Sequence, residues 1–171
     1  MKAALENFWY HYKIPVLLAA AILVAGSYLL AQQLKTVPAD YEVALVSSEY
    51  YSDEQLAALQ EVLAAAGKDT NGDGSVVVAV HRYRLKIGAD GQDSVEIGAL
   101  DADLVGNRSG LFLLEDPPAF EEATNSICRA SEAIPCAEIK TLSGEGWSNL
   151  SAVVRENADE KYAVMLSALT A

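Results

Sequence analysis

The longest run of hydrophobic residues lies near the N-terminus, where residues 14–31 read IPVLLAAAILVAGSYLLA without a charged side chain. Eighteen residues of helix extend about 27 Å, close to the roughly 30 Å hydrocarbon core of a bilayer. Lipid offers no partners to backbone N–H and C=O groups, so a lone span has to be helical. The pattern therefore predicts a transmembrane helix over residues 14–31.

The residues before this run predict its orientation. The aromatic sequence FWYHY at positions 8–12 is typical of side chains at the headgroup level, and Lys2 and Lys13 favour an inside N-terminus. Residues 1–13 are thus predicted to be cytoplasmic and interfacial, with the C-terminal part of the chain outside the cell membrane. The chain would be a single-pass signal-anchor protein.

A cleaved signal peptide is the competing interpretation of the same residues. Its apolar region would begin at Ile14, with cleavage near residues 24–26 or 29–31. Against cleavage stand the length of the apolar run, which continues to Leu30, and the aromatic residues that precede it. The uncleaved anchor is therefore our expectation.

Beyond the apolar run we predict a short tether, residues 32–40, and one extracytoplasmic domain, residues 41–171, large enough to bury its own core. From Thr36 onward the chain has 23 acidic and 9 basic residues, an excess of 14 negative charges. Such a domain repels phosphate backbones, which disfavours a nucleic-acid partner. The plain interpretation is a soluble acidic surface, and the more specific one is a site for cationic ligands or Ca²⁺.

Within the domain, strand-like and helix-like patterns alternate. The sequence SDEQ at 52–55 is a capping box before leucines at helical spacing, and Pro117 follows a short apolar strand. This order predicts an α/β fold, a single β-α-β-α-β lobe with a mostly parallel sheet. The predicted elements are strand 41–47, a helix after Ser52 that ends near Gly67, strand 75–87, helix 94–105 and strand 110–116, followed by strand or short helix at 147–154 and 162–169.

The order of these features resembles that of small single-span membrane proteins of Gram-positive anaerobes. The resemblance is carried by ENFWYHYKIP at 6–15, the strand that Tyr41 opens, the DTNGDG loop, and LDADLV at 100–105 followed by GLFLLEDP at 110–117. The ectodomains of that group are similar to one lobe of an extracellular solute-binding protein. The resemblance implies a bacterial host and a lobe fold more than a function. A complete solute-binding protein closes two lobes over its ligand, whereas this chain has room for one, which puts capture by closure in doubt.

The sequence DTNGDGS at 69–75 matches the opening of a calcium loop. Asp69, Asn71 and Asp73 would supply side-chain oxygens, Gly74 permits the turn, and Ser75 would offer its carbonyl. The match then fails, because apolar residues occupy the later ligand positions; Asp90, Asp93 or Glu96 could complete the shell. The alternative is a helix-to-strand connection that these turn-forming residues make without metal.

Cys128 and Cys136 are the only cysteines. Outside the membrane they are predicted either to form a disulfide or to remain as two buried free thiols. No cofactor site is predicted, because the chain lacks a phosphate-binding loop, a dinucleotide fingerprint and an H-E-x-x-H motif. No catalytic residue is predicted either, since G-x-S-x-G is absent and His81 lies within a predicted strand.

Glu115 and Asp116 end a predicted strand, which is where ligands sit in open α/β sheets, but the adjacent proline favours a simple strand end. We therefore expect a non-enzymatic binding or interaction module with a protein partner at the cell surface. The alternative is a Ca²⁺ or small-molecule binding module derived from a solute-binding lobe.

Overall fold

A computed structural model describes residues 12, 14, 16–27, 38–88, 94–143 and 146–171 of the chain. The chain divides into two units, Met1–Val37 and Pro38–Ala171. Residues 14 and 16–27 of the predicted span are helical, whereas residues 15 and 28–31 lie outside the described residues. Among the helices that are described, none is both long and apolar enough to cross a membrane.

The second unit is an α/β fold, as predicted. Its described part contains a five-stranded mixed sheet in the order β2-β1-β3-β5-β4. The first three strands in this order, β2 at the edge and then β1 and β3, are parallel to one another. Strand β5 runs antiparallel to both β3 and β4. The elements are β1 Tyr41–Ser47, α1 Asp53–Ala66, β2 Val78–Arg84, α2 Ser94–Gly106, β3 Leu111–Leu114, α3 Pro117–Ala123, β4 Ile134–Pro135, β5 Ser151–Val154 and α4 Glu160–Thr170.

The β-α-β-α-β order is confirmed for the first three strands, and the antiparallel pair β5 and β4 is the part that the sequence did not predict. The capping box is also confirmed, because Gln55 N donates to Ser52 Oγ at 3.2 Å and Ser52 N donates to Gln55 Oε1 at 2.9 Å. Gly67 ends α1 with extended backbone rather than a left-handed one. Glycine fits this position because it leaves room for a neighbouring side chain: a Cβ there would lie 2.8 Å from the ring of Tyr41.

The core has two parts, one on each face of the sheet. Odd-numbered residues of β1, such as Val43 and Leu45, pack under α1 and α4. The even-numbered Ala44 and Val46 pack under α2 and α3. Successive strand residues point to opposite faces, so a central strand covered on both sides has to be apolar throughout. This explains the apolar run Val43–Val46 in the middle of β1.

Candidate binding cleft at the carboxyl ends of the parallel strands

The strand order creates a crevice at one end of the sheet. Helix α1 connects β1 to β2 on one face, and α2 then connects β2 to β3 on the other face, so that β1 lies between its two successors. In open α/β sheets such a reversal separates the loops that follow neighbouring strands, and ligands bind between them. Here the reversal lies between the carboxyl ends of β1 and β3.

A cleft of about 190 Å³ occupies this position, and we call it the carboxyl-edge cleft. Its floor consists of buried apolar side chains from the ends of the strands and from α3, and its rim carries charges of both signs. The floor residues are Val46, Leu85, Leu114 and Phe120, and the charged rim residues are Lys86, Glu115 and Asp116. The cleft is smaller than the roughly 300–1,000 Å³ of pockets for drug-sized molecules, so it fits only a small group.

The loop after β1 holds Glu115 in place. Ser48 N donates to Glu115 Oε2 at 2.8 Å, and Ser48 Oγ lies 2.8 Å from Oε2 and 3.1 Å from Oε1. The N–H of Ser48 lowers the pKa of Glu115 below its usual range, the two serine hydroxyls and the charge of Lys86 add to this effect, and partial burial opposes it. Glu115 is therefore an ionised carboxylate at neutral pH.

The residue after Glu115 caps a helix. Asp116 is the N-cap of α3, where its Oδ1 accepts a hydrogen bond from Ala119 N at 3.1 Å, and Pro117 occupies the first helical turn. The sequence drew attention to Glu115 and Asp116 but favoured a simple strand end. It did not indicate Ser48 or Lys86, although both follow parallel strands that the pattern had located.

The predicted calcium loop forms a self-contained hydrogen-bonded turn. Asp69 accepts from the N–H groups of Gly72 and Gly74, at 2.6 and 2.9 Å, with a different carboxylate oxygen for each. Asn71 Oδ1 accepts from Asp73 N, and Asp73 Oδ1 accepts from Ser75 N, both at 2.9 Å. Four of the five side-chain oxygens of Asp69, Asn71 and Asp73 are thus engaged within the loop. The turn chemistry of these residues accounts for the loop without a cation.

Asp40, which the sequence did not single out, anchors this loop to the start of β1. One of its oxygens accepts from Thr70 N and Thr70 Oγ1 at 2.8 Å and from Asn71 N at 3.1 Å, and the other accepts from Val77 N at 2.9 Å. The N–H of Val77 is the largest of the influences that lower the pKa of Asp40 to about 2. The contact joins residues some thirty positions apart, so no local pattern could reveal it.

Of the three residues suggested to complete a calcium shell, the structure describes only Glu96. Glu96 accepts from Arg84 N at 3.3 Å, at the opposite end of β2 from the 69–75 loop. Seven strand residues separate these ends by about 20 Å, which excludes Glu96 as a ligand of that loop. Residues 90 and 93 lie outside the described residues. In the part of the chain that is described, no group of three or more His, Cys, Asp or Glu side chains is placed to hold a metal ion.

The two cysteines lie on opposite faces of the sheet. Cys136 belongs to the cluster under α1 and α4, Cys128 belongs to the cluster under α2 and α3, and both are free thiols. Of the two alternatives predicted for these cysteines, the structure has the two buried free thiols. Burial raises the pKa of each thiol to about 12, so both stay protonated at neutral pH.

His81 and Trp147 also have structural partners. His81 is partly buried and forms an ion pair with Glu42 on β1, a contact that the alternation of β2 did not predict. Trp147 is only 8% exposed and stacks on Tyr51 at a ring distance of 4.7 Å, which places it at the core. Neither side chain lines the carboxyl-edge cleft.

Comparisons of the chain with protein-family models, with curated proteins and with solved structures found no match to any of them. The resemblance to single-span proteins with a solute-binding lobe therefore stays a prediction. What the chain offers to a functional argument is the geometry of the carboxyl-edge cleft.

Proposed function

We propose that this chain is a non-enzymatic binding module, held at the outer face of the cell membrane by residues 14–31, that takes a small amine-bearing ligand into the carboxyl-edge cleft. The observation that carries the proposal is a fixed, ionised carboxylate above an apolar floor at the reversal point of the sheet. Sites with this position in α/β sheets bind ligands in many unrelated proteins. The uncharged run at 14–31 supports the tethered location.

The cleft favours an ammonium group over an anion. Glu115 Oε1 accepts one hydrogen bond, from Ser48, so it keeps acceptor capacity for a ligand N–H. The domain's excess of negative charge raises the local concentration of cations. Small amines and amino acids, which carry an ammonium group, are therefore the ligand class.

Binding suits this geometry better than catalysis. Ser48 Oγ lies beside a carboxylate, as a nucleophile beside a base would. A general base works best when its pKa is near the operating pH, and the pKa of Glu115 is shifted the other way. Glu115 is therefore a weak base that holds Ser48 without activating it.

The ligand class can be tested with three molecules that share a three-carbon skeleton, namely propylamine, alanine and propionate, added to the ¹⁵N-labelled full chain. With four non-hydrogen atoms, propylamine can gain at most about 6 kcal/mol, so we expect dissociation constants near the millimolar range. Propylamine and alanine should shift the amide signals of Ser48, Leu85 and Glu115, and propionate should not. Equal binding of propionate, or no shift with any of the three, would contradict the proposal.

Two variants separate the cleft from the surface at large. Glu115→Gln keeps the shape of the side chain and removes its charge, so it should weaken propylamine binding at least tenfold. Glu138→Gln makes the same change at an exposed residue that does not line the cleft and should leave binding unchanged. An equal loss in both variants would mean that net charge, and not the cleft, attracts the amine.

The tethered location has its own experiment. The full chain, expressed in a bacterial host, should stay in the membrane pellet after carbonate extraction, with an N-terminus that mass spectrometry finds intact. Release of a chain shortened by its first 26 or 31 residues into the medium would support the signal-peptide alternative and remove the anchor from the proposal.

A further inference from the structure

Strand β2 is an edge strand whose outer side faces away from the sheet. It pairs with β1 through seven registered residue pairs and has no other strand partner in the described part of the fold. An edge strand presents backbone N–H and C=O groups that another extended chain can use. Proteins usually protect such an edge from pairing with other chains, so a part of the edge that is left uncovered is a candidate site for a partner.

The two ends of this edge are covered, and its middle is not. Gln60 Nε2 donates to Val78 O at 3.1 Å, and Arg84 N donates to Glu96 at 3.3 Å. Strand residues alternate in direction with a period of two, so the even-numbered residues of β2 are the ones that direct backbone groups outward. Helices α1 and α2 thus cap the edge at Val78 and Arg84 and leave Val80 and Arg82 open between them.

A groove of about 560 Å³ runs beside this open stretch. Leu56 forms one wall from α1, and the small side chains of Ala99 and Ala102 form the other from α2. An extended peptide advances about 3.3 Å per residue, so the open stretch between Val78 and Arg84 matches about five residues of an extended peptide. The alanines leave room for its side chains.

The groove is basic although the domain is acidic. His81, Arg82 and Arg108 line it, and none of its lining residues is Asp or Glu. His81 is already paired with Glu42, so the positive charge that the groove offers to a docked chain comes from Arg82 and Arg108. Charges within about 8 Å are the least screened at physiological salt, so these two arginines favour acidic side chains. A peptide with acidic side chains at alternate positions matches this local charge.

We propose that the groove binds an acidic, extended segment of a partner protein as an added strand on β2. Backbone groups of Val80 and Arg82 pair with the segment, and the carboxylates on one face of the segment meet Arg108 beside α2. The proposal rests on the binding function proposed above, to which it adds the kind of protein partner. It uses a surface separate from the carboxyl-edge cleft.

The probe for this surface is the acetylated and amidated heptapeptide VEVEVEV with a fluorescent label, titrated onto the full chain and followed by fluorescence anisotropy. Two matched peptides test its two requirements. VKVKVKV reverses the charge, and a copy of VEVEVEV methylated at every backbone nitrogen removes the donors of the added strand. We expect binding of VEVEVEV alone, with amide shifts at Val80 and Arg82 in the ¹⁵N-labelled chain.

Variants locate the bound peptide. Arg108→Glu should weaken binding at least tenfold, and Lys140→Glu, the same change at an exposed residue outside the groove, should have no effect. Arg82 also donates to Tyr51 O, so its substitution affects the fold. Ala102→Phe is the better second variant, because it fills the groove from an exposed helical position and should also abolish binding while circular dichroism stays unchanged.

Three results would overturn the proposal: no binding of VEVEVEV at millimolar concentration, equal binding of VKVKVKV, or equal binding of the methylated peptide. The outcome is independent of the cleft, because propylamine titrations report on Glu115 and peptide titrations report on Val80. A chain that binds the amine but not the peptide would lose the strand site and keep the cleft.

Discussion

Three carboxylates each fix one connection in this domain, and each uses backbone N–H groups more than positive charges. Asp40 ties the 69–77 connection to β1, and Glu115 ties the loop after β1 to the end of β3. Asp103, which is 3% exposed, accepts from Tyr83 Oη, Ser109 N and Ser109 Oγ at 2.7 to 2.9 Å. The domain can thus carry many carboxylates with few basic partners, because backbone donors satisfy those that are buried.

Replacement of Asp40 tests this use of backbone donors. Asp40→Asn puts an NH₂ group where an oxygen accepts from Val77 N or from Thr70, so we expect a loss of about 1–3 kcal/mol in the free energy of unfolding at pH 7. The measurement is urea unfolding followed by circular dichroism. Asp101→Asn, at an exposed helical position, is the control and should change stability by less than about 0.5 kcal/mol.

The same substitution should change the acid sensitivity of the protein. Asp40 has a pKa of about 2 in the folded state, below its usual 3.8, so its stabilising effect is present above pH 4 and is lost as the pH falls to 2. The difference in stability between the natural chain and Asp40→Asn should therefore shrink between pH 4 and pH 2. A difference that stays constant over this interval would show that the carboxylate charge is not what stabilises the loop.

At the scale of elements, two glycines in the same region have opposite roles. Gly98 lies in the exposed interior of α2, and a Cβ there would contact nothing within 4 Å. Gly110 precedes β3, and a Cβ there would lie 2.2 Å from the ring of Tyr162, whose hydroxyl accepts a hydrogen bond from Glu42 N. Gly98 lowers the stability of its helix, whereas Gly110 makes room for the packing of α4 against the sheet.

The pair forms a matched prediction with a single type of change. Gly98→Ala should stabilise the protein by about 0.5–1 kcal/mol, because alanine loses less backbone entropy in a helix. Gly110→Ala should destabilise it by about 1–3 kcal/mol or more, because the added methyl displaces the ring of Tyr162. Thermal unfolding of the two variants beside the natural chain gives both signs, and a stabilised Gly110→Ala variant would mean that α4 does not pack as described.

The 69–75 loop belongs to the same scale, and the residues that follow it argue against a calcium requirement. We expect calorimetric titration of the full chain with CaCl₂ to give no heat beyond that of MgCl₂, because Val77 and Val80 stand where a calcium loop has its remaining ligands and Glu96 lies at the opposite end of β2. The double variant Asp69→Ala, Asp73→Ala should match the natural chain in this titration. A calcium-specific heat that the double variant lacks would restore the calcium interpretation.

The elements that the sequence predicted well are those whose signals are local. The alternation of Tyr41–Ser47 and the capping box at Ser52 each depend on neighbours along the chain, and both elements formed where expected. Strand β5 has only four residues, and helix α4 begins six residues after it. In short, closely spaced elements the spacing of apolar residues does not separate a strand from a helix. Tertiary packing decides their type, and it also makes the sheet mixed where the sequence predicted a mostly parallel one.

The candidate sites differ in predictability for the same reason. The 69–75 loop is contiguous, so the sequence showed all its residues, but it could not show that their oxygens are already engaged. The carboxyl-edge cleft brings together Val46, Lys86 and Glu115, which lie on three strand ends far apart in the sequence. The sequence located the strands and even Glu115, yet only the strand order places these residues around one cleft.

Across the whole molecule the dominant electrostatic feature is an uncompensated negative charge. Beyond Thr36, acidic residues exceed basic ones by 14. The ion pairs in the described residues are few and partly exposed, namely His81 with Glu42 and Arg129 with both Glu132 and Glu156. Exposed pairs of this kind contribute roughly 0–1 kcal/mol each. Repulsion among the remaining carboxylates should therefore outweigh them.

This balance predicts the direction in which salt changes stability. Raising NaCl from 20 to 500 mM shortens the Debye length to a few ångströms and screens repulsion that opposes the compact state. A gain of about 1 kcal/mol would raise the melting temperature by about 2–4 °C for a domain of this size. The triple variant Glu61→Gln, Glu122→Gln, Glu138→Gln, which removes three exposed charges, should start from a higher melting temperature and respond less to salt. A melting temperature that falls with salt would instead mean that the ion pairs of His81 and Arg129 stabilise the fold more than the excess negative charge destabilises it.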